Sequence, residues 1–186
     1  MCKLHRIRGA RIEAQVLQLL DETTFAELER STKQFTPATT KRELAVNPVQ
    51  VQSMKMIPYR NSETLEVEGN IQSSGNNYEA TIVFEDVIYE DEDQNDNITF
   101  TGSDGDEHHI MPIILNKNNV KVRCSCLDFY WRFAAFNAKD GSLYGPAPSP
   151  YTKKTNRPDA NQQKIPGVCK HLLAMVIQLK QSGMVR

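Results

Sequence analysis

No apolar run in this sequence approaches the roughly 20 residues that a membrane-spanning helix needs, so no membrane partner is expected. The first residues, "MCKLHRIRGARIEAQ", lack the apolar stretch and cleavage site of a secretory leader. The expectation is therefore a protein that is not secreted and sits in a reducing setting, where its four cysteines stay unpaired. There is no internal repeat, which argues against a solenoid or array, and no glycine-rich phosphate loop. Basic residues nearly vanish from 46–116, where two Lys/Arg face fourteen acids. Acids nearly vanish from 117–186, where three face twelve Lys/Arg. The net charge of −1 for the 186 residues conceals that split. Surfaces so different imply different electrostatic partners, or each other.

What is present reads as three segments of an α+β protein. Residues 1–45 form a helical arm and linker. Within it, 7–35 read as helical, with Ile12, Val16, Leu19 and Leu20 on one face. Thr24 and Glu27 make a capping box that should start a helix through Phe25 and Leu28. Residues 46–116 form an antiparallel β-rich middle, because the apolar period changes to two. Val49 and Val51 fall on one face of "VQVQSMKMI" and Met54 and Met56 on the other, which predicts a bulge near Ser53. Leu65, Val67 and Ile71 share a face, "SSGNN" is a turn, and Tyr78, Ala80, Ile82 and Phe84 alternate on the way back. "NITFTG" is a further strand, and "HIMPIIL" should pair with "VKVRC" as a final hairpin. The acidic stretch 85–97 has calcium-loop spacing at Asp91, Asp93, Asn95 and Asn97. It also has Asp96 where the turn needs glycine and Gly102 where a bidentate Glu belongs, so it reads as a solvated loop.

Residues 117–186 carry the chemistry. Cys124 and Cys126 end a strand, while Cys169 and His171 follow "IPG" and open a helix. Leu172, Leu173, Val176, Ile177 and Leu179 give that helix its apolar stripe, and Gly183 ends it. A disulfide would leave one of the three cysteines odd and the histidine unexplained. A Cys/His nucleophile pair fails because a residue two along a helix cannot easily serve as base. Three thiolates and an imidazole make a closed tetrahedral zinc set, with no position left for water. One structural zinc is expected, with the helix start favouring the Cys169 thiolate. His108 and His109 beside Asp104, Asp106 and Glu107 read as a polar hairpin start rather than a second metal site.

The order Cys-x-Cys, spacer, Cys-x-His resembles the SWIM-type zinc finger over residues 108–186, and the Leu-Leu-Ala after His171 is also typical of that family. The resemblance implies a ββα lobe and a role in binding DNA or protein. The 42 residues between Cys126 and Cys169 form a long spacer that suggests an extra lobe. "LDFYWRFAAFNAKDG" should be a short helix with Phe129, Phe133 and Phe136 on one face, filling core. "YTKKTNRPDANQQK" offers Lys153, Lys154, Arg157 and Lys164 as a partner-binding surface for phosphate or an acidic protein face. "NPVQVQSMKMIPY", "SSGNNYEATIVFEDV" and "YTKKTNRPDANQ" together resemble small zinc-finger-bearing virion proteins of tailed bacteriophages. No activated nucleophile or open metal site is present, so the expectation is a non-enzymatic structural protein without a small-molecule substrate. Its partners would be other subunits of an assembly, in a virion or the host cytoplasm. The alternative is a regulator that binds nucleic acid through the basic lobe.

Overall fold

A computed structural model of the chain describes residues 23–34, 49–93, 96–149, 156 and 158–186. The expected face of Ile12, Val16, Leu19 and Leu20 lies outside these residues, as do Lys153, Lys154 and Arg157. Among the described residues no helix is long and apolar enough to cross a membrane.

Helices combine with antiparallel sheet. The larger sheet contains β1 (Val49–Tyr59), β2 (Thr64–Ser73), β3 (Asn76–Phe84) and β7 (Val120–Cys124), in the order β1-β2-β3-β7. Alternation of apolar and polar residues turns one face inward: Leu65, Val67 and Ile71 of β2 and Ile82 and Phe84 of β3 are fully buried. The β2–β3 turn places Ser74 and Gly75 at φ 53° and 77°, the pair of left-handed residues that a two-residue hairpin of this twist demands. In β1 the register against β2 shifts between Val51 and Ser53. This is the expected bulge, and its physical effect is to bring Val49, Val51, Met54 and Met56 together against the core.

The smaller sheet holds β4 (Tyr89–Glu90), β5 (Ile98–Thr101) and β6 (Glu107–Ile110), in the order β4-β6-β5. Its composition corrects the expected final hairpin. "HIMPIIL" does not pair with "VKVRC": β6 joins the smaller sheet, while β7 pairs with β3 across 80–84. Pro112 has no N–H to offer a ladder. The amides of Ile113 and Leu115 instead donate to the carbonyls of Met184 and Arg186. The hairpin of a compact ββα finger is therefore not formed.

Three helical segments share the core with the larger sheet. α1 (Phe25–Thr32) begins at the expected capping box, with Thr24 and Glu27 bonding reciprocally. Phe25 and Leu28 are fully buried, and the Ala26 amide donates to the Leu115 carbonyl. This part of the expected arm is thus built into the chain's own core. α2 runs as Leu127–Phe129, a π-helical turn Tyr130–Ala134, and Ala135–Asp140. Phe129 and Phe133 are buried as expected, but Phe136 is only half-buried. The π turn carries one extra residue and rotates the remainder of the helix, so Asn137 takes the interior position. α3 (Lys170–Gln181) lies over the sheet. Its Met175 presses on Gly69 so closely that a Cβ there would sit 2.8 Å from the sulfur. A single apolar cluster runs from Phe25 to Val185, and both it and the larger sheet cross the boundary expected at 116/117.

Candidate metal centre

Three elements deliver the four candidate ligands. Cys124 ends β7, opposite Ala80 of β3. Ser125 extends that pairing: its amide donates to the Glu79 carbonyl, and its hydroxyl accepts from the Glu79 amide at 2.9 Å. The chain then turns, and Cys126 caps α2, its sulfur accepting the Phe129 amide at 3.3 Å. Cys169 caps α3, and His171 lies in the first turn of that helix.

The approach to Cys169 is held from three sides. The Asn137 side chain bonds both backbone groups of Gly167, at 3.1 and 3.0 Å. The Thr32 hydroxyl accepts the Val168 amide at 2.9 Å. Asn161 donates to the carbonyls of Arg132 and Ile165 at 2.9 and 2.7 Å. Gly167 is obligatory for this closeness, since a Cβ there would lie 2.6 Å from the Phe133 ring and 2.7 Å from the Thr32 hydroxyl. None of these supports is visible in sequence, because the decisive ones join elements far apart in the chain.

The ligand atoms of Cys124, Cys126, Cys169 and His171 all lie within 4.8 Å of one another, and all four residues are at most 5 % exposed. His171 Nδ1 faces the sulfurs, 3.6 Å from Cys124 Sγ and 3.9 Å from Cys169 Sγ. Zinc bond lengths of about 2.3 Å to sulfur and 2.0 Å to nitrogen give tetrahedral edges of about 3.8 Å and 3.5 Å. The cluster is thus compatible with one zinc ion. All three cysteines are free of disulfides.

The charge on the thiols is uneven. Cys126 is held well below the ordinary thiol range by hydrogen bonds from Cys124 and Cys169. Cys124 is pushed up to about 12, chiefly by its hydrogen bond to Cys126. Cys169 is raised above all by burial. Burial thus works against the thiolate that the helix start favours at Cys169, while the hydrogen bonds among the sulfurs favour charge on Cys126. Three thiolates can coexist here only if a cation neutralises them.

Outside this cluster, His108 Nε2 lies 3.0 Å from Asp104 and His109 Nδ1 lies 2.8 Å from Thr99 Oγ1, both within the β5–β6 hairpin. In the acidic stretch, Asp91 pairs with Arg60 at 2.6 Å, and Asn95 lies outside the described residues. Lys164 is exposed with φ 56°. Sequence reasoning missed an open groove of about 960 Å³ beside the cysteines, lined among others by Asn76, Tyr78, Leu127, Trp131 and Lys170. Its walls come from β3, α2 and α3, so only the fold assembles it.

No protein-family model, no curated protein and no solved structure matches this chain, so the likeness to SWIM-type fingers rests on the ligand order and the sequence around it.

Proposed function

We propose that the chain is a non-enzymatic, zinc-stabilised structural protein that works as a subunit of a larger protein assembly. The observation that carries this reading is the closed Cys3His set, sized for a tetrahedral ion and buried where β7, α2 and α3 meet. A fully liganded ion polarises no substrate; it joins the two ends of the long spacer. The resemblance to small zinc-bearing virion proteins supports a particle subunit, placed in a virion or in the host cytoplasm. Elemental analysis of protein made under reducing conditions tests the first half and should find one zinc per chain. A chain without stoichiometric metal removes the reading. Co-sedimentation of the native chain with a multi-subunit particle tests the second half.

One observation favours a second reading. Tyr130 and Trp131 are both partly exposed, with ring centroids 4.7 Å apart, and Trp131 lines the same groove as Lys170. Aromatic faces next to cations suit a nucleic-acid strand. Replacing Lys153, Lys154 and Arg157 by Ala would then flatten the salt dependence of duplex-DNA binding by about 0.9 for each phosphate no longer neutralised. An unchanged slope removes nucleic acid from that loop.

A further inference from the structure

Among the described residues, the start of β3 has an edge that no strand covers. β7 pairs with β3 only across 80–84, and Ser125 carries the pairing one residue further. Both backbone groups of Glu79 bond to Ser125, so both point to that side. Residues of an antiparallel ladder alternate in this respect, so Asn77 turns its N–H and C=O the same way. The line of β7 has ended there, because the chain turns at Cys126 into α2. Asn77 is exposed, and with Asn76 and Tyr78 it lines the groove beside the cysteines.

The same groove holds a buried donor. His171 belongs to its wall, 2 % exposed, with Nδ1 turned to the sulfurs. Once Nδ1 holds zinc, the single proton of the neutral ring sits on Nε2, which can then only donate. Nε2 is buried and has no hydrogen-bond partner among the described residues. Metal-bound histidines ordinarily give that proton to a carboxylate, a carbonyl or water. Lys170, next to it in the wall, forms no ion pair among the described residues. Both lie in the first turn of α3, whose cap residue Cys169 bonds none of the first amides through its side chain, so the helix end adds positive potential. From α2, Leu127, 71 % exposed, and Trp131, 49 % exposed, bring apolar surface to the groove.

We infer that the groove receives an extended segment of another protein subunit. The segment pairs with Asn77 as a short strand continuing the line of β7. It sets a carboxylate against Lys170 and His171 Nε2–H, and an apolar side chain on Leu127 and Trp131. The inference rests on the reading of the chain as a zinc-bearing assembly subunit and names the chemistry of its partner. The open backbone edge selects a peptide, since a nucleic-acid strand has no amide ladder to offer. Charge points the same way. Three thiolates on one divalent ion leave the loaded cluster a single negative charge, and Asp128 in the wall is already paired with Arg132 at 3.1 Å. Lys170 can balance one carboxylate there, but not a run of phosphates.

A displayed library of random heptapeptides, panned on the zinc-loaded full chain, tests this. Enriched sequences should carry an acidic residue beside an apolar one. Replacing that acid by its amide in the synthetic peptide should weaken binding about tenfold, the difference between a charge-assisted and a neutral contact. Lys170→Ala should weaken the acidic peptide and not its amide counterpart, with zinc content unchanged, whereas Leu127→Asp should weaken both. The peptide should raise zinc affinity by the same factor by which zinc favours the peptide. Nuclear magnetic resonance signals of residues 76–78 should shift on binding. Three results overturn the proposal. One is a zinc-loaded chain that enriches no sequence over its Leu127→Asp variant, which leaves the zinc-stabilised subunit reading standing with a different partner. The second is enrichment of peptides without acids, or of peptides that shift signals away from 76–78 and 170–171. The third is a chain that binds an oligo-dT strand and loses it on Lys170→Ala, which assigns the groove to nucleic acid. Absence of zinc from the wild type would instead strike the underlying reading.

Discussion

The ring of Tyr78 stacks on the imidazole of His171, with centroids 4.3 Å apart and planes 23° from parallel. This ties β3 to the first turn of α3 and holds Nδ1 toward the sulfurs. His171 Nε2 is buried and has no hydrogen-bond partner, so stacking does the orienting that a carboxylate or carbonyl performs at many metal-bound histidines. Tyr78→Ala should weaken zinc affinity about tenfold, the lower end of effects from residues that orient ligands. Tyr78→Phe should restore it, because the hydroxyl plays no part in the stack. Competition against a chromophoric chelator reads the difference.

Zinc uptake should release protons. Hydrogen bonds from its neighbours push the Cys126 thiol down, whereas Cys124, pushed up to about 12, and the buried Cys169 are pushed toward the protonated form. Since a zinc-bound thiol is deprotonated, about two protons should leave per ion near pH 7. Affinity therefore falls as pH falls, because protons compete for the sulfurs. Calorimetric titrations in buffers of different ionisation enthalpy count the protons, and a count near zero would contradict this distribution of charge.

Gly167→Ala should damage the site without touching a ligand. The new Cβ would collide with the Phe133 ring and the Thr32 hydroxyl, and both are held within the core. The segment must then move, breaking the Asn137 clamp and the Val168–Thr32 bond just before Cys169. Overpacking of this kind costs about 1–3 kcal/mol. Thermal melts should show that loss, together with lower zinc affinity. A variant that melts like the parent would mean that the segment yields freely.

The ligand order, the capping box, the β1 bulge and the β2–β3 hairpin were legible because each is written in residues close together in the chain. Thr24 and Glu27 are three apart, and the alternation around Ile71 and Ile82 needs only a short window. What the sequence hid is long-range. Nothing near "VKVRC" says that its neighbour is 80–84 rather than 108–115, because the decision depends on the far C-terminus occupying Ile113 and Leu115. Phe25 and Leu28 were legible as part of a capped helix but not as core, since the core they enter is made of residues from the whole chain. The π turn that exchanged Phe136 for Asn137 has no sequence signature, although its consequence, the clamp on Gly167, shapes the site.

Chelation should loosen the protein unevenly. The β2–β3 hairpin is held by nine register pairs and by Leu65, Val67, Ile71, Ile82 and Phe84, none of which needs the ion. β7 keeps its five partners on β3. By contrast, the described part of 141–168 contains no helix or strand: Ser142 and Tyr144 bond to Val122 of β7, and the stretch from Asn161 to Val168 is fastened by the Asn137, Asn161 and Thr32 side chains. Closing so long a loop carries an entropic cost that the ion offsets by joining its two ends. Hydrogen exchange after chelator treatment should therefore accelerate first in 126–169 and the start of α3, while amides of β2 and β3 stay protected. The α1 amides should follow the loop more than the sheet, because Thr32 grips Val168. Uniform acceleration along the chain would show instead that the ion stabilises the whole core as one cooperative unit.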